Sequence, residues 1–269
     1  MQNTINEAVL YEVRDRVAHL TLNRPKSLNA LNLDMIEALR VSSARAEADP
    51  QVRAILITGA GEHFMAGGDL KWFREQLALP AQERQPLFER TISDVHQTTL
   101  QLRRAEKPVV AAVRGAVAGF GLSLMLAADL ALAADDAYFT LAYCNIALSP
   151  DGGATWSLPR TVGMKRAMEI ALLGDRFDAR QALEWGMVNR VVAGADLLPQ
   201  AQALALRLAA GPAEALAHTK RLLSASFNAT LAEQLHAEQC AFAASGVNPD
   251  FSEGLAAFFE MRPAKFGVD

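Results

Sequence analysis

The chain has 269 residues, 51% of them hydrophobic and 21% charged, with a formal net charge of −4. That composition supports a large globular core and excludes bulk disorder. The near-neutral balance excludes broad electrostatic binding to nucleic acid or to an anionic membrane surface.

In chain order, the opening MQNTINEAVL lacks the basic stretch followed by an apolar stretch that marks a secretory leader. AVLYEVRDRVAHLTL predicts a hairpin, two β-rich runs turning at Arg14–Asp15. NRPKSLNALN reads as a loop. Leu33 to Ala48 predicts an amphipathic helix with Met35, Ile36, Leu39 and Ala46 near one face. VRAILITG has the continuous apolar character of a strand buried on both faces, and AGEHFMAGGDL after it is a Gly-rich loop. Residues 70–105 read as helical, broken near Pro80 and Pro86. KPVVAAVRG predicts a second buried strand, AVAGFGLSLMLAAD a Gly-rich turn into a helix, and LALAADDAYFTL more strand. The run Gly115 to Ala128 is too short to span a bilayer, so a soluble cytoplasmic protein is expected. Beyond about Thr155 the chain is Ala/Leu/Glu-rich and helical, apart from a strand in MVNRVV. The alternation of strand, loop and helix is an α/β signal. The division expected is 1–199 as an α/β core and 200–269 as a helical region.

Cys144 and Cys240 give no disulfide framework, and both read as buried or indifferent thiols. His19, His63, His218 and His236 are scattered without metal-ligand spacing. Lys220–Arg221 reads as a solvated helix face. Two loops share one design: MAGGDL (65–70) and AGFGLSL (118–124) each follow a strand and open a helix. Glycine lets such a turn approach a ligand closely, and the first helical turn leaves amide N–H groups unpaired. Two such donors converging would form an oxyanion hole. The dinucleotide pattern G-x-G-x-x-G is not met, since Leu124 takes the third glycine's place.

NRPKSLNAL (23–31), HFMAGGDLK (63–71), KPVVAAVRGAVAGFGLSLMLAADLALAADDAYF (107–139), SPDGGATWSLPRTVG (149–163) and ALEWGMVNRVV (182–192) together resemble the enoyl-CoA hydratase/isomerase (crotonase) superfamily, from about residue 8 to residue 266. The resemblance implies an α/β fold, a crotonase-like spiral of ββα turns with a helical C-terminal trimerisation region. It also implies a homotrimer or hexamer and an acyl-CoA thioester substrate, whose coenzyme A is part of the substrate, so that no separate cofactor and no metal is expected. By motif position the oxyanion donors are the N–H groups of Gly68 and Phe120. Lys26 matches the edge where coenzyme A lies. Ala66, Gly67, Asp69 and Leu70 match the backbone near the adenine, with Lys265 and Phe266 as looser candidates contributed to a neighbouring subunit.

Hydratases of this family use two glutamates, and the matching positions here hold Ser123 and Tyr143. Asp151 stands where several isomerases of the family carry one acidic residue. A double-bond shift needs one carboxylate to take a proton and return it two carbons away. Leu141, Ile146, Leu148 and Trp156 predict apolar surroundings for it. Read without the resemblance, Asp151 is an N-cap for the helix starting at GGATWSLPR. Three alternatives stay open. One is hydration by a non-standard mechanism. Another is a resemblance to 4-chlorobenzoyl-CoA dehalogenases, with Asp151 as nucleophile and His96 as base. The last is an acyl-CoA-binding member without catalysis.

Overall fold

The computed structural model describes residues 7–267; the first six residues, on which the reading of the chain's start partly rests, lie outside the described residues. Strands β1 (Val9–Arg14) and β2 (Val17–Leu22) pair antiparallel. Asp15 and Arg16 between them both have positive φ, 49° and 63°, which matches the twist a two-residue hairpin turn requires. β3 (Ala54–Gly59) and β4 (Val109–Val113) extend the sheet in parallel. β5 (Ala116–Ala118) leaves it to begin a second sheet, and β6 (Leu130–Ala134) returns to the far edge of β4. β7 (Tyr138–Thr140) and β8 (Phe177–Asp178) join β5, and β9 (Arg190–Val192) pairs with β6. The sheet orders are therefore β1-β2-β3-β4-β6-β9 and β5-β7-β8.

Helix α1 (Leu33–Ala48) is capped by the Asn32 side chain, which accepts from the Met35 N–H at 3.0 Å. It buries Met35, Ile36, Leu39 and Ala46, the face expected from the spacing, and packs on α3. α2 (Leu70–Gln76) and α3 (Ala81–Arg104) are separate, as Pro80 predicts, but Pro86 lies inside α3 and does not break it. Thr91, Val95, Thr98 and Leu102 recur every three or four residues and bury one side of α3. That packing outweighs the one backbone hydrogen bond a proline removes near a helix start. α4 (Phe120–Ala127) is buried throughout its length. α5 (Ala154–Val162), α6 (Met164–Leu173) and α7 (Ala179–Glu184) follow, and then α8 (Leu197–Ala209), α9 (Ala213–Ala225), α10 (Leu231–Gly246) and α11 (Pro249–Phe259).

The two faces of the main sheet carry two cores, because successive strand residues point to opposite sides. Ile55 and Ile57 join Leu20, Val109 and the residues of α1 and α4 on one face. Leu56, Val110 and Leu132 join Ala201, Ala205 and Ala209 of α8 on the other. Lys220 on α9 is not solvated as its sequence suggests. Its side chain is 9% exposed and pairs with Asp129 at 2.8 Å. Its ammonium also donates to the carbonyls of Leu102 and Lys107. Both cysteines are exposed rather than buried.

Candidate active site

The loop after β3 is built by a parallel bridge between Leu31 and Gly68. Leu31 N–H donates to the Gly67 carbonyl at 2.8 Å, and Asp69 N–H donates to the Leu31 carbonyl at 3.0 Å. The residues flanking Gly68 thus make the ladder bonds, and its own N–H faces the opposite way. A second bridge, Met65 to Val117, fixes this loop against β5. β5 runs straight into the second loop. Gly119 there has φ 50° and ψ −123°, a conformation that favours glycine. Its N–H donates to the Thr140 carbonyl at 3.0 Å, and Phe120 becomes the first residue of α4. Neither the Gly68 nor the Phe120 N–H has an acceptor among the described residues.

The two loops touch. A Cβ placed on Gly119 would stand 3.3 Å from Gly67 Cα and 3.9 Å from the Tyr143 ring. A Cβ on Gly152, which has φ +60°, would fall 2.6 Å from the Phe120 ring and 2.8 Å from Ser123 Cβ. Gly67, Gly68, Phe120, Ser123, Tyr143 and Asp151 are therefore brought to one place by four chain segments.

Asp151 does not cap α5. Gly153 holds that position at φ 83° without a side-chain bond. The Asp151 carboxylate instead accepts the Tyr143 hydroxyl at Oδ1, and its backbone carbonyl accepts from Ser123 Oγ at 3.0 Å. Thr99 of α3 holds the next residue, donating to the Gly152 carbonyl at 3.2 Å. Burial pushes the Asp151 carboxyl above the usual carboxylate range, while the Tyr143 hydroxyl and the charge of His96 on α3 pull it back. Burial and the adjacent carboxylate push the Tyr143 phenol well above its ordinary value. A carboxylate able to take a proton, beside two free N–H donors, is an arrangement suited to forming and holding an enolate.

A family model described as enoyl-CoA hydratase/isomerase matches residues 12–268. The chain belongs to the enoyl-CoA hydratase/isomerase family. Among curated relatives, the chain is 38% identical to the 1,2-epoxyphenylacetyl-CoA isomerase of Escherichia coli, over 97% of this chain and 98% of that one. It is 35% identical to a 4-chlorobenzoyl coenzyme A dehalogenase of an Arthrobacter species, over 100% of this chain and 97% of that one. The crystal structure of an enoyl-CoA hydratase from Polaromonas sp. JS666 superposes with a TM-score of 0.90 at 34% identity, covering 96% of this chain and 99% of that one. The crotonase-type fold read from the sequence is thus the fold observed.

The positions that match the family's coenzyme A contacts are distributed as follows. Lys26 is exposed on a short turn, Pro25–Ser27. Ala66 N–H is engaged by the Leu28 carbonyl at 3.0 Å. The Asp69 side chain caps α2 by accepting from Lys71 N–H and pairs with Arg24 at 3.0 Å, so it stiffens the loop. Leu70 is exposed at the start of α2. Lys265 and Phe266 lie against α11, where Lys265 N–H donates to Glu253 and the Phe266 ring sits near Gly254. His96 is exposed, yet its charge reaches Asp151.

The expected apolar surroundings of Asp151 need correction. Leu141 is buried, but Ile146 and Leu148 lie on an exposed loop. Trp156 is also partly exposed, stacked by the guanidinium groups of Arg103 at 4.7 Å and Arg160 at 4.2 Å. The Phe120 side of the Gly152 turn supplies the shelter instead. Sequence reasoning missed Asn29, which is fully buried. It accepts from Arg24 N–H and donates to the Ala60 and His63 carbonyls, tying three parts of the site's floor together. It also missed Phe73, whose ring fills the space 2.6 Å from where a Gly68 side chain would begin. Its spacing of four from Asp69, one helical turn into α2, is a signal that could have found it.

Proposed function

We propose that the protein moves a double bond in an enoyl-CoA thioester, with Asp151 as its single acid/base. The observation that carries this reading is the Asp151 carboxylate itself. It is half-buried, uninvolved in helix capping, and held by Tyr143 beside the loop of Phe120. The thioester carbonyl would rest on the N–H groups of Gly68 and Phe120. Asp151 breaks a C–H bond by taking the proton, and the electron pair moves through the conjugated system onto the carbonyl oxygen. The two N–H donors stabilise that charge. The electron pair then returns, and carbon two positions away takes the proton back from Asp151. Atoms and charge balance with no further reactant, so the step needs no cofactor besides the coenzyme A already in the substrate. Among the described residues, no cluster of His, Cys, Asp and Glu could hold a metal ion.

Hydration is supported less well, because it needs both a base for water and an acid for carbon. Ser123 and Tyr143 fill the positions of the two family glutamates, and Tyr143 is a phenol held in its protonated form. A dehalogenase-like reaction has in its favour the 35% identity to a 4-chlorobenzoyl coenzyme A dehalogenase, with His96 placed on α3. Its expected reporter is chloride release from 4-chlorobenzoyl-CoA. The purified protein offered 3-enoyl-CoA should build up the absorbance of the conjugated 2-enoyl thioester. Absence of that signal, together with chloride release or hydration, would transfer the assignment to the corresponding alternative. Acyl-CoA binding without any turnover would leave the non-catalytic reading.

The assembly we propose is a homotrimer, or a hexamer of two trimers. Met164, Met168 and Leu172 on α6, and Leu231, Leu235 and Phe242 on α10, are exposed apolar residues at helical spacing, as surfaces covered by other copies would be. No helix among the described residues is long and apolar enough to cross a membrane. A cytoplasmic location fits this proposal.

A further inference from the structure

Tyr143 is delivered to Asp151 by a short turn, Tyr143–Ile146, with an unusual backbone. Ala142 before it and Ala147 after it both adopt left-handed conformations, φ 54° and 58°. Alanine pays for that conformation in sterics against its Cβ, so the turn is held by what surrounds it. Leu148 N–H closes the loop onto the Tyr143 carbonyl at 3.0 Å, and Asn145 and Cys144 pack at Gly174, where a Cβ would stand 2.6 Å from the sulfur. Residues 144–149 are exposed, but the Tyr143 side chain points inward, with its ring beside Gly119 and its hydroxyl on Asp151.

Resting on the reading of Asp151 as the base, we infer that Tyr143 is a positioning residue that holds one oxygen of that carboxylate and leaves the other to carry the proton. The phenol does not itself titrate in the working range, since burial and the neighbouring carboxylate both keep it protonated. The Tyr143 O–H therefore stays intact through the reaction while the mobile proton travels between substrate carbon and Asp151. A carboxylate buried here without that donor would be a stronger base in principle but less ionised near neutral pH. Tyr143 offsets the effect of burial and fixes the direction of the carboxylate at once. Among the described residues around Asp151, α4 contributes Ser123 and Phe120, both neutral, and α3 contributes the titratable His96.

The test is the pH profile of enoyl-CoA isomerisation. In Tyr143→Phe the acidic limb of kcat is expected to move up by about one pH unit, the size of one hydrogen bond to a charged group. The plateau should fall about tenfold, with KM and acyl-CoA binding unchanged. Site-specific 3-fluorotyrosine at 143, a stronger donor that keeps the ring, should move the limb the other way, and it preserves the test should Tyr143→Phe fold poorly. An unmoved limb in both, or a loss confined to KM, would overturn the inference. So would complete loss of turnover in Tyr143→Phe with binding intact, which would make the phenol the proton carrier. Asp151→Asn separates the two levels. Wild-type turnover in that variant removes the base assignment and this inference with it. An inactive Asp151→Asn alongside an unmoved Tyr143→Phe profile removes the inference alone.

Discussion

Asp151 carries an electrostatic cost that its position explains. Its carboxyl titrates higher in the folded protein than in the unfolded chain, because burial disfavours the charge. Over the interval from the unfolded value up to the raised one, the folded state binds the extra proton, so stability falls as pH rises through it. Below about pH 4 both states are protonated and the penalty vanishes. Asp151→Asn, which cannot ionise, is therefore expected to melt above wild type at neutral pH and alongside it in acid. Equal melting temperatures at neutral pH would show that the carboxylate is not strained by its site. Gly152 is constrained at the same point: Gly152→Ala adds a Cβ against the Phe120 ring and Ser123 in a left-handed backbone. It should cost about 2–4 kcal/mol in urea unfolding, combining overpacking with the conformational penalty. Whether Asp151 caps a helix or faces the site was not legible from SPDGG alone, because both uses suit an Asp before two glycines. The left-handed Gly153 at the N-cap decides it, and no side-chain pattern encodes that angle.

Strands β3 and β4 follow from their continuous apolar runs, buried on both faces, and helix α1 from its apolar spacing, since burial enforces both patterns. The pairing of Tyr143 with Asp151 was not readable, because the seven residues between them form an irregular turn with no period. Asn29 is a similar case. One buried amide braces the loops after β2 and β3 through three hydrogen bonds, and nothing in SLNALN marks it. Asn29→Ala leaves three part-buried backbone groups without their side-chain partner at a residue of φ 55°. It should destabilise the protein by about 3 kcal/mol. It should also weaken thioester binding, measured by titration, since Gly68 sits on the same floor; a change under 0.5 kcal/mol would refute the bracing role.

For the whole molecule, α8 fills the second face of the sheet, and α9 is locked to the chain's middle through Lys220 and Asp129. The sequence marked Lys220 as a surface cation, since a Lys–Arg pair on a helix is normally solvated and its partner lies 91 positions away. Lys220→Met should cost about 1–3 kcal/mol, because it removes the cation from a partly exposed Asp129 carboxylate that keeps only the Val109 N–H. Double replacement with Asp129→Asn should recover part of that loss in the same unfolding measurement, and failure to recover would deny the pairing. Light scattering should give the mass of three or six chains, and a monomer would leave the exposed faces of α6 and α10 unexplained. In the proposed reaction one carboxylate, Asp151, does the chemistry, with Ser123 and Tyr143 at the two glutamate positions. The direct measurement is the turnover of 3-enoyl-CoA by Asp151→Asn beside its affinity for the same thioester. A loss of about 100- to 10,000-fold in kcat with binding intact is expected; wild-type turnover in that variant would overturn the assignment of Asp151 as the base.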